Sequence, residues 1–142
     1  MGRPRRTRPD QVDVELMRRL SYGYTVIQAH SQLGISLSMA RDRVRELKRH
    51  SGAHTLPHLM YWMHTNYHLW PQVRKHPTPN PGELRLAVLQ MRAWGHSAEA
   101  IQTKLYLSKA GYERRINETH RITRTNNDAH AVSVCWSEDM IV

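Results

Sequence analysis

The stretch LMRRLSYGYTVIQAHSQLGISLSMARDRVRELKRH, residues 16–50, decides the reading of this chain. Leu16, Met17 and Leu20 make an i, i+1, i+4 apolar face, the spacing of a helix that buries one side. Gly23 follows as a residue that tolerates positive φ and ends that helix. Thr25 is placed to cap a second, short helix, with Ala29 on its inner side. Gly34 permits a sharp turn between two crossed helices, and Ser36 or Ser38 caps the third. Met39 or Ala40, with Val44 and Leu47, forms that helix's inner stripe. Arg41, Arg45, Lys48 and Arg49 then fall on or near its outer face. The pattern predicts a helix-turn-helix whose third helix is rich in arginine, the element that lies in a major groove.

The same pattern occurs twice. Sliding the chain by 72 positions registers its halves without a gap: Gly23 on Gly95, Thr25 on Ser97, Leu33 on Leu105, Ile35 on Leu107, Ser36 on Ser108, Val44 on Ile116 and His58 on His130. The apolar residue six after each glycine is Ala29 in one copy and Ile101 in the other. Between the copies lies PQVRKHPTPNPGE, with four of the chain's seven prolines between Pro71 and Pro81. Each proline fixes its own φ and pushes its predecessor towards extended backbone, so this stretch reads as a semi-rigid spacer. The expected fold class is all-α, two small helix-turn-helix modules joined by a Pro-rich linker. Its parts are a basic arm (residues 1–10), a first module (11–70), the linker (71–82) and a second module (83–142). Strand-like alternation is scarce except at residues 131–136, where a fourth helix and an exchanged strand both remain open.

Charge is concentrated at one end. The formal net charge of the 142 residues is +9, and residues 1–50 hold 11 Lys/Arg against 5 Asp/Glu. Residues 51–81 hold two basic residues, no acid and five histidines, and residues 82–142 hold 8 basic against 7 acidic. Phosphate-binding surface is therefore expected in the first third, and a polyanion is the expected partner. No apolar run reaches the ~18 residues of a membrane span, and no apolar stretch follows the basic MGRPRRTRPD as a secretory signal requires. One cysteine, Cys135, forms neither an internal disulfide nor a thiolate zinc site, and its apolar setting suggests a buried thiol. The expected location is cytoplasmic, associated with the nucleoid, and the membrane is not an expected partner.

Two families resemble this chain at these residues. Residues 16–60 resemble the LuxR/GerE-type DNA-binding domain, and the second copy keeps that family's closing Asn-x-x-x-Ala-Val at Asn127, Ala131 and Val132. The opening GRPRRTRPDQVDVELMRRLSYGYTV resembles the DNA-binding tail of serine invertases and resolvases, in which a Gly-Arg-Pro arm enters the minor groove. More weakly, LPHLMYWMHTNYHLW is similar to a segment of the flagellar master-regulator activators, without their cysteine zinc cluster. The first resemblance implies base-reading positions at Arg41, Asp42 and Arg45. The second implies minor-groove or phosphate contacts from Arg3, Arg5, Arg6 and Arg8.

Asp42 departs from the residue usual there: it can accept from a cytosine amine, or pair with Arg45 and read nothing. In the second copy Gly111, Tyr112, Glu113 and Asn117 fill the corresponding stretch, and the two copies are not expected to bind DNA equally. Candidate DNA contacts are thus Arg3, Arg5, Arg6, Arg8, Ser36, Ser38, Arg41, Asp42, Arg45, Lys48 and Arg49, with Lys109, Arg114 and Arg115 from the second copy. Arg121 has the same character.

Other constellations carry less. His54, His58, His64 and His68 have metal-ligand spacing on a helix, but no Cys, Asp or Glu nearby completes a site and Pro57 interrupts the first pair. Plain helix surface is the favoured reading, ahead of a pH-sensitive or phosphate-facing surface, and no metal or cofactor is expected. Tyr61, Trp62, Tyr67 and Trp70 could stack on bases, though packing is the commoner use of such a group. Carboxylates are scattered and no Gly-rich phosphate loop occurs, so no enzyme is read here. The expectation is a sequence-specific regulator of transcription that binds double-stranded DNA. RNA polymerase, a partner regulator and homo- or hetero-oligomers are further partners left open. The alternatives are a non-catalytic DNA-recognition accessory of a transposition or recombination system, and a protein–protein adaptor.

Overall fold

Asp10 opens the first helix with a reciprocal cap. Its carboxylate accepts from the Asp13 backbone N–H at 2.9 Å, and the Asp13 carboxylate accepts from the Asp10 N–H at 3.0 Å, so two donors that lack helical partners are both satisfied. The computed structural model describes residues 9–67, 69 and 74–142. Among them the chain is all-helical, with eight α-helices and no strand. They are α1 (Gln11–Ser21), α2 (Val26–Gln32), α3 (Leu37–Ser51), α4 (Leu56–Tyr67), α5 (Glu83–Ala93), α6 (Ala98–Leu105), α7 (Lys109–Thr123) and α8 (Asp128–Ser137).

The sequence register reappears as a structural one. Helices α5, α6, α7 and α8 each begin 72 positions after α1, α2, α3 and α4. Thr25 caps α2 through the Gln28 N–H, and Ser97 caps α6 through the Ala100 N–H. Of the two serines that could cap α3, Ser36 does so, accepting from the Met39 N–H at 3.1 Å, and Ser108 repeats this on α7. Gly34 turns from α2 to α3 at φ +66°. Its register mate is Tyr106, held at φ +55° and 95% exposed. A side chain in this left-handed region costs about 1 kcal/mol or more.

Residues 131–136, open between helix and strand, are helical in α8. Residues Ala129, His130, Ala131, Val132, Ser133, Val134 and Cys135 are all buried. A helix covered on every side leaves no polar face to set a period, so its sequence looks equally like a buried strand.

One apolar cluster draws on both halves. It holds Leu16, Met17 and Leu20 of α1, Leu59, Met60 and Met63 of α4, Leu89 and Ala93 of α5, and Ala131, Val132 and Cys135 of α8. Helix α8 lies against α4 and also against α1, while α4 lies against α5. A smaller cluster, Val88, Ile101 and Tyr112, binds α5, α6 and α7 together. Burying each large side chain stabilises by ~1.5–3 kcal/mol, against ~0–1 kcal/mol for an exposed ion pair, so apolar burial decides how the helices sit.

The proline-rich stretch is described from Arg74, and no helix occurs between there and Glu83. The Arg74 guanidinium donates to the Thr123 and Arg124 carbonyls at the end of α7, and the Thr78 N–H donates to Glu138 at 2.9 Å. Thr78 is buried, so the stretch is tied to the ends of α7 and α8. Arg74 thereby satisfies carbonyls that a helix C-terminus leaves open, at its electronegative end.

Candidate nucleic-acid interface

Helix α3 divides cleanly. Ala40, Val44 and Leu47 are buried, while Met39 is 42% exposed, so the inner stripe runs through Ala40. Ser36, Ser38, Arg41, Asp42, Arg45 and Arg49 are exposed and Lys48 is half-buried. The positions expected to face DNA thus share one solvent-facing surface of one helix. Its carbonyl end closes at Gly52, φ +77°, with Lys48, Arg49 and His50 in the last turn.

Within that surface Arg45 and Asp42 pair at 3.0 Å, with side chains 77% and 64% exposed. Such an i,i+3 pair in water is worth a few tenths of a kcal/mol. An incoming phosphate or guanine edge can therefore compete for Arg45, and a base amine for Asp42.

Arg43 does something else. It donates to Asp10 at 2.6 Å and to Asp13 at 3.2 Å, with its side chain only 12% exposed. It pins α3 to the capped start of α1. Burial pushes the Asp13 carboxyl above its usual range, although the hydrogen bonds from the Asp10 backbone and from Arg43 oppose this. The sequence reading passed over Arg43; its signal was an arginine off the outer arc of α3, together with an acid pair at Asp10-x-x-Asp13.

The second copy is built alike and charged differently. Lys109 is exposed, and Arg114, 67% exposed, lies 3.9 Å from Glu118. Arg115 is half-buried and donates to the Gly111 carbonyl of its own helix at 3.3 Å. Glu118 is engaged by Arg85 of α5, whose hydrogen bond, more than its charge, holds the Glu118 carboxyl below the usual range. Glu113, Asn117 and Arg121 are exposed on the same outer face. Tyr112, register mate of Ala40, turns inward to the small core. Arg3, Arg5, Arg6 and Arg8 lie outside the described residues.

Plain helix surface, the reading favoured for the histidines, fails for two of them: His54 is exposed just ahead of α4, but His58 is half-buried and His64 fully buried in packing roles. His64 shares a 2.7 Å hydrogen bond with Ser133 of α8 and stacks on Trp136, ring centroids 4.8 Å apart. Burial drives its pKa down to about 4. His130 covers Gly23, accepts from the Asn126 N–H at 3.1 Å, and is also lowered to about 4, chiefly by burial and then by the charges of Arg74 and His120. His58 covers Gly95, and burial, with the charges of His54 and His96, lowers its pKa. Among the described residues no three His, Cys, Asp or Glu come together as a metal site. His68 and Trp70 lie outside the described residues.

Tyr61, Trp62 and Tyr67 pack against the main core, with Trp62 and Tyr67 rings 5.1 Å apart. Cys135 is buried, and burial pushes its thiol up to about 12, so it is not a thiolate near neutral pH. No helix among the described residues is long and apolar enough to cross a membrane. In comparison with known proteins, no family model, no curated protein and no solved structure matches this chain.

Proposed function

We propose that this chain is a sequence-specific regulator of transcription that binds double-stranded DNA through a helix-turn-helix. Helix α3 is the recognition helix in the major groove, and the basic arm at residues 1–10 follows the adjacent minor groove. The observation that carries this reading is the outward row of Ser38, Arg41, Asp42, Arg45 and Arg49 on a helix whose opposite stripe is buried. Arg41 and Arg45 are assigned to base edges, where a guanidinium grips guanine O6 and N7 in two places. Lys48, further along the helix and half-buried, is assigned to phosphate.

The test is selection of bound duplexes from a random pool at physiological salt. The wild-type chain is expected to enrich a motif and to lose affinity steeply as salt rises. Arg41→Ala or Arg45→Ala should erase preference at one base position, a loss of ~1–3 kcal/mol, while Lys48→Ala weakens all duplexes alike. Binding without salt dependence would assign the chain to protein–protein contacts instead. Occupancy confined to the ends of mobile elements would assign it to recombination.

A further inference from the structure

Reciprocal contacts between the halves define a local two-fold relation. His130 of α8 covers Gly23 beside α1, and its register mate His58 of α4 covers Gly95 beside α5. A Cβ on either glycine would collide with the facing imidazole. Helix α8 packs on α1 as α4 packs on α5, and α4 packs on α8. His64 and Trp136, 72 positions apart in sequence, stack on each other. Contacts exchanged in this way, with equivalent positions touching each other, are the mark of an isologous interface. Here it is made within one chain, and it sets α3 and α7 as two-fold mates.

The mates differ where base edges would be read. Arg41, Asp42 and Arg45 on α3 correspond to Glu113, Arg114 and Asn117 on α7, while Arg49 corresponds to Arg121. All of these are exposed. Both helices remain cationic, α3 with five basic residues against two acidic and α7 with four against two. Arginine prefers guanine, asparagine pairs doubly with adenine, and a glutamate accepts from the cytosine amine. Ahead of α7 stands Tyr106, held in a left-handed turn that Gly34 makes without strain and 95% exposed. The core gains nothing from it there, and a phenol hydroxyl can donate to a phosphate.

The geometry points to a duplex target of two inverted but unlike half-sites, one read by α3 and the other by α7, with Tyr106 against the backbone of the second. This rests on the reading of the chain as a DNA-binding regulator. Each half of the chain faces its own half-site across the local two-fold, so the site is palindromic in direction and not in sequence.

The experiment is the same duplex selection at physiological salt with the full chain and its Arg41→Ala, Arg45→Ala, Glu113→Ala, Asn117→Ala and Tyr106→Gly variants. The wild-type chain is expected to enrich two blocks with different base preferences. Arg41→Ala and Arg45→Ala should flatten one block only, Glu113→Ala and Asn117→Ala the other only, each by roughly tenfold at one position. The bases that depend on residues 41 and 45 should run in mirror order to those that depend on 113 and 117. Tyr106→Gly is expected to melt no lower than the wild-type chain, yet to bind the two-block duplex at least several-fold more weakly, a combination that a purely structural residue does not give.

A single block, identical blocks, blocks in the same direction, or an Asn117→Ala profile equal to wild type each overturn this inference. A single block dependent on Arg45 leaves the proposed function standing. Enrichment of no duplex at all removes both.

Discussion

His64 shows how a residue with metal-ligand spacing ends as a packing element with an acid liability. Its ring sits between Ser133 and Trp136 with no neighbouring acid in the described contacts, and burial holds its pKa at about 4. His130 is held at about 4 as well. An unfolded histidine binds its proton near pH 6.5. Between pH 6.5 and 4 the unfolded chain therefore binds more protons than the folded one, and stability falls as pH falls across that window, by about 1.4 kcal/mol per unit for each such group. The carboxylates of Asp128 and Glu118 work in the same direction at still lower pH. Burial acts to raise Asp128, but its bond with His120 and the charges of His120 and Arg92 hold it below the usual range, as Arg85 does for Glu118. The melting temperature is expected to be level between about pH 6.5 and 8 and to drop below that window. His64→Gln should make that drop shallower; a melting temperature unchanged from pH 7 to 4.5 would refute the account.

Much of this was unreadable at the residue scale. His58 and His130 were visible as register mates, but nothing local tells which glycine an imidazole will cover. Arg43 was missed for a related reason. Its two carboxylate partners lie 33 and 30 positions away, and only the packing of α3 on α1 brings them together.

At the scale of elements the chain was far more legible. Thr25, Gly34 and Ser36 act through their own backbone and bonds within a few residues, so their spacing carries their function. The stripe through Ala40, Val44 and Leu47 follows the helical period, and all three are buried. The choices between Met39 and Ala40 for that stripe and between Ser36 and Ser38 for the cap needed coordinates, and the second yields a direct check. Ser36→Ala should lower stability by about 1 kcal/mol through loss of the α3 cap, while Ser38→Ala, on the exposed side of the first turn, should change it by less than about half that. Denaturant midpoints of the two variants decide it, and equal losses would contradict the assigned cap. Helix α8 was the hard element: buried all round, it has no polar face to betray its period.

For the whole molecule, the shared core has a consequence for cutting the chain. A fragment of residues 1–76 keeps α1 to α4 but removes α8, leaving Leu59, Met60 and Met63 of α4 without their cover. In α8 the register mates of those three are Ala131, Val132 and Cys135. A second copy of α4 can take the place of α8 across the same two-fold. The fragment is expected to be dimeric or unfolded, and a folded monomer by sedimentation and circular dichroism would contradict the shared core. The full chain is expected to unfold in one cooperative step for the same reason.

Sequence alone determined the helical class, the repeat of 72, the Thr25 cap, the Gly34 turn and the arginine face of α3. These depend on neighbours within one or two helical turns, where spacing and side-chain type are sufficient. Tertiary structure alone decided that α4 and α8 pair across a local two-fold, that His58 and His130 lock the halves reciprocally, and that Arg43 faces inward. The partners in each case are far apart in the chain, and they meet because covering the apolar faces of α1, α4, α5 and α8 outweighs every local preference.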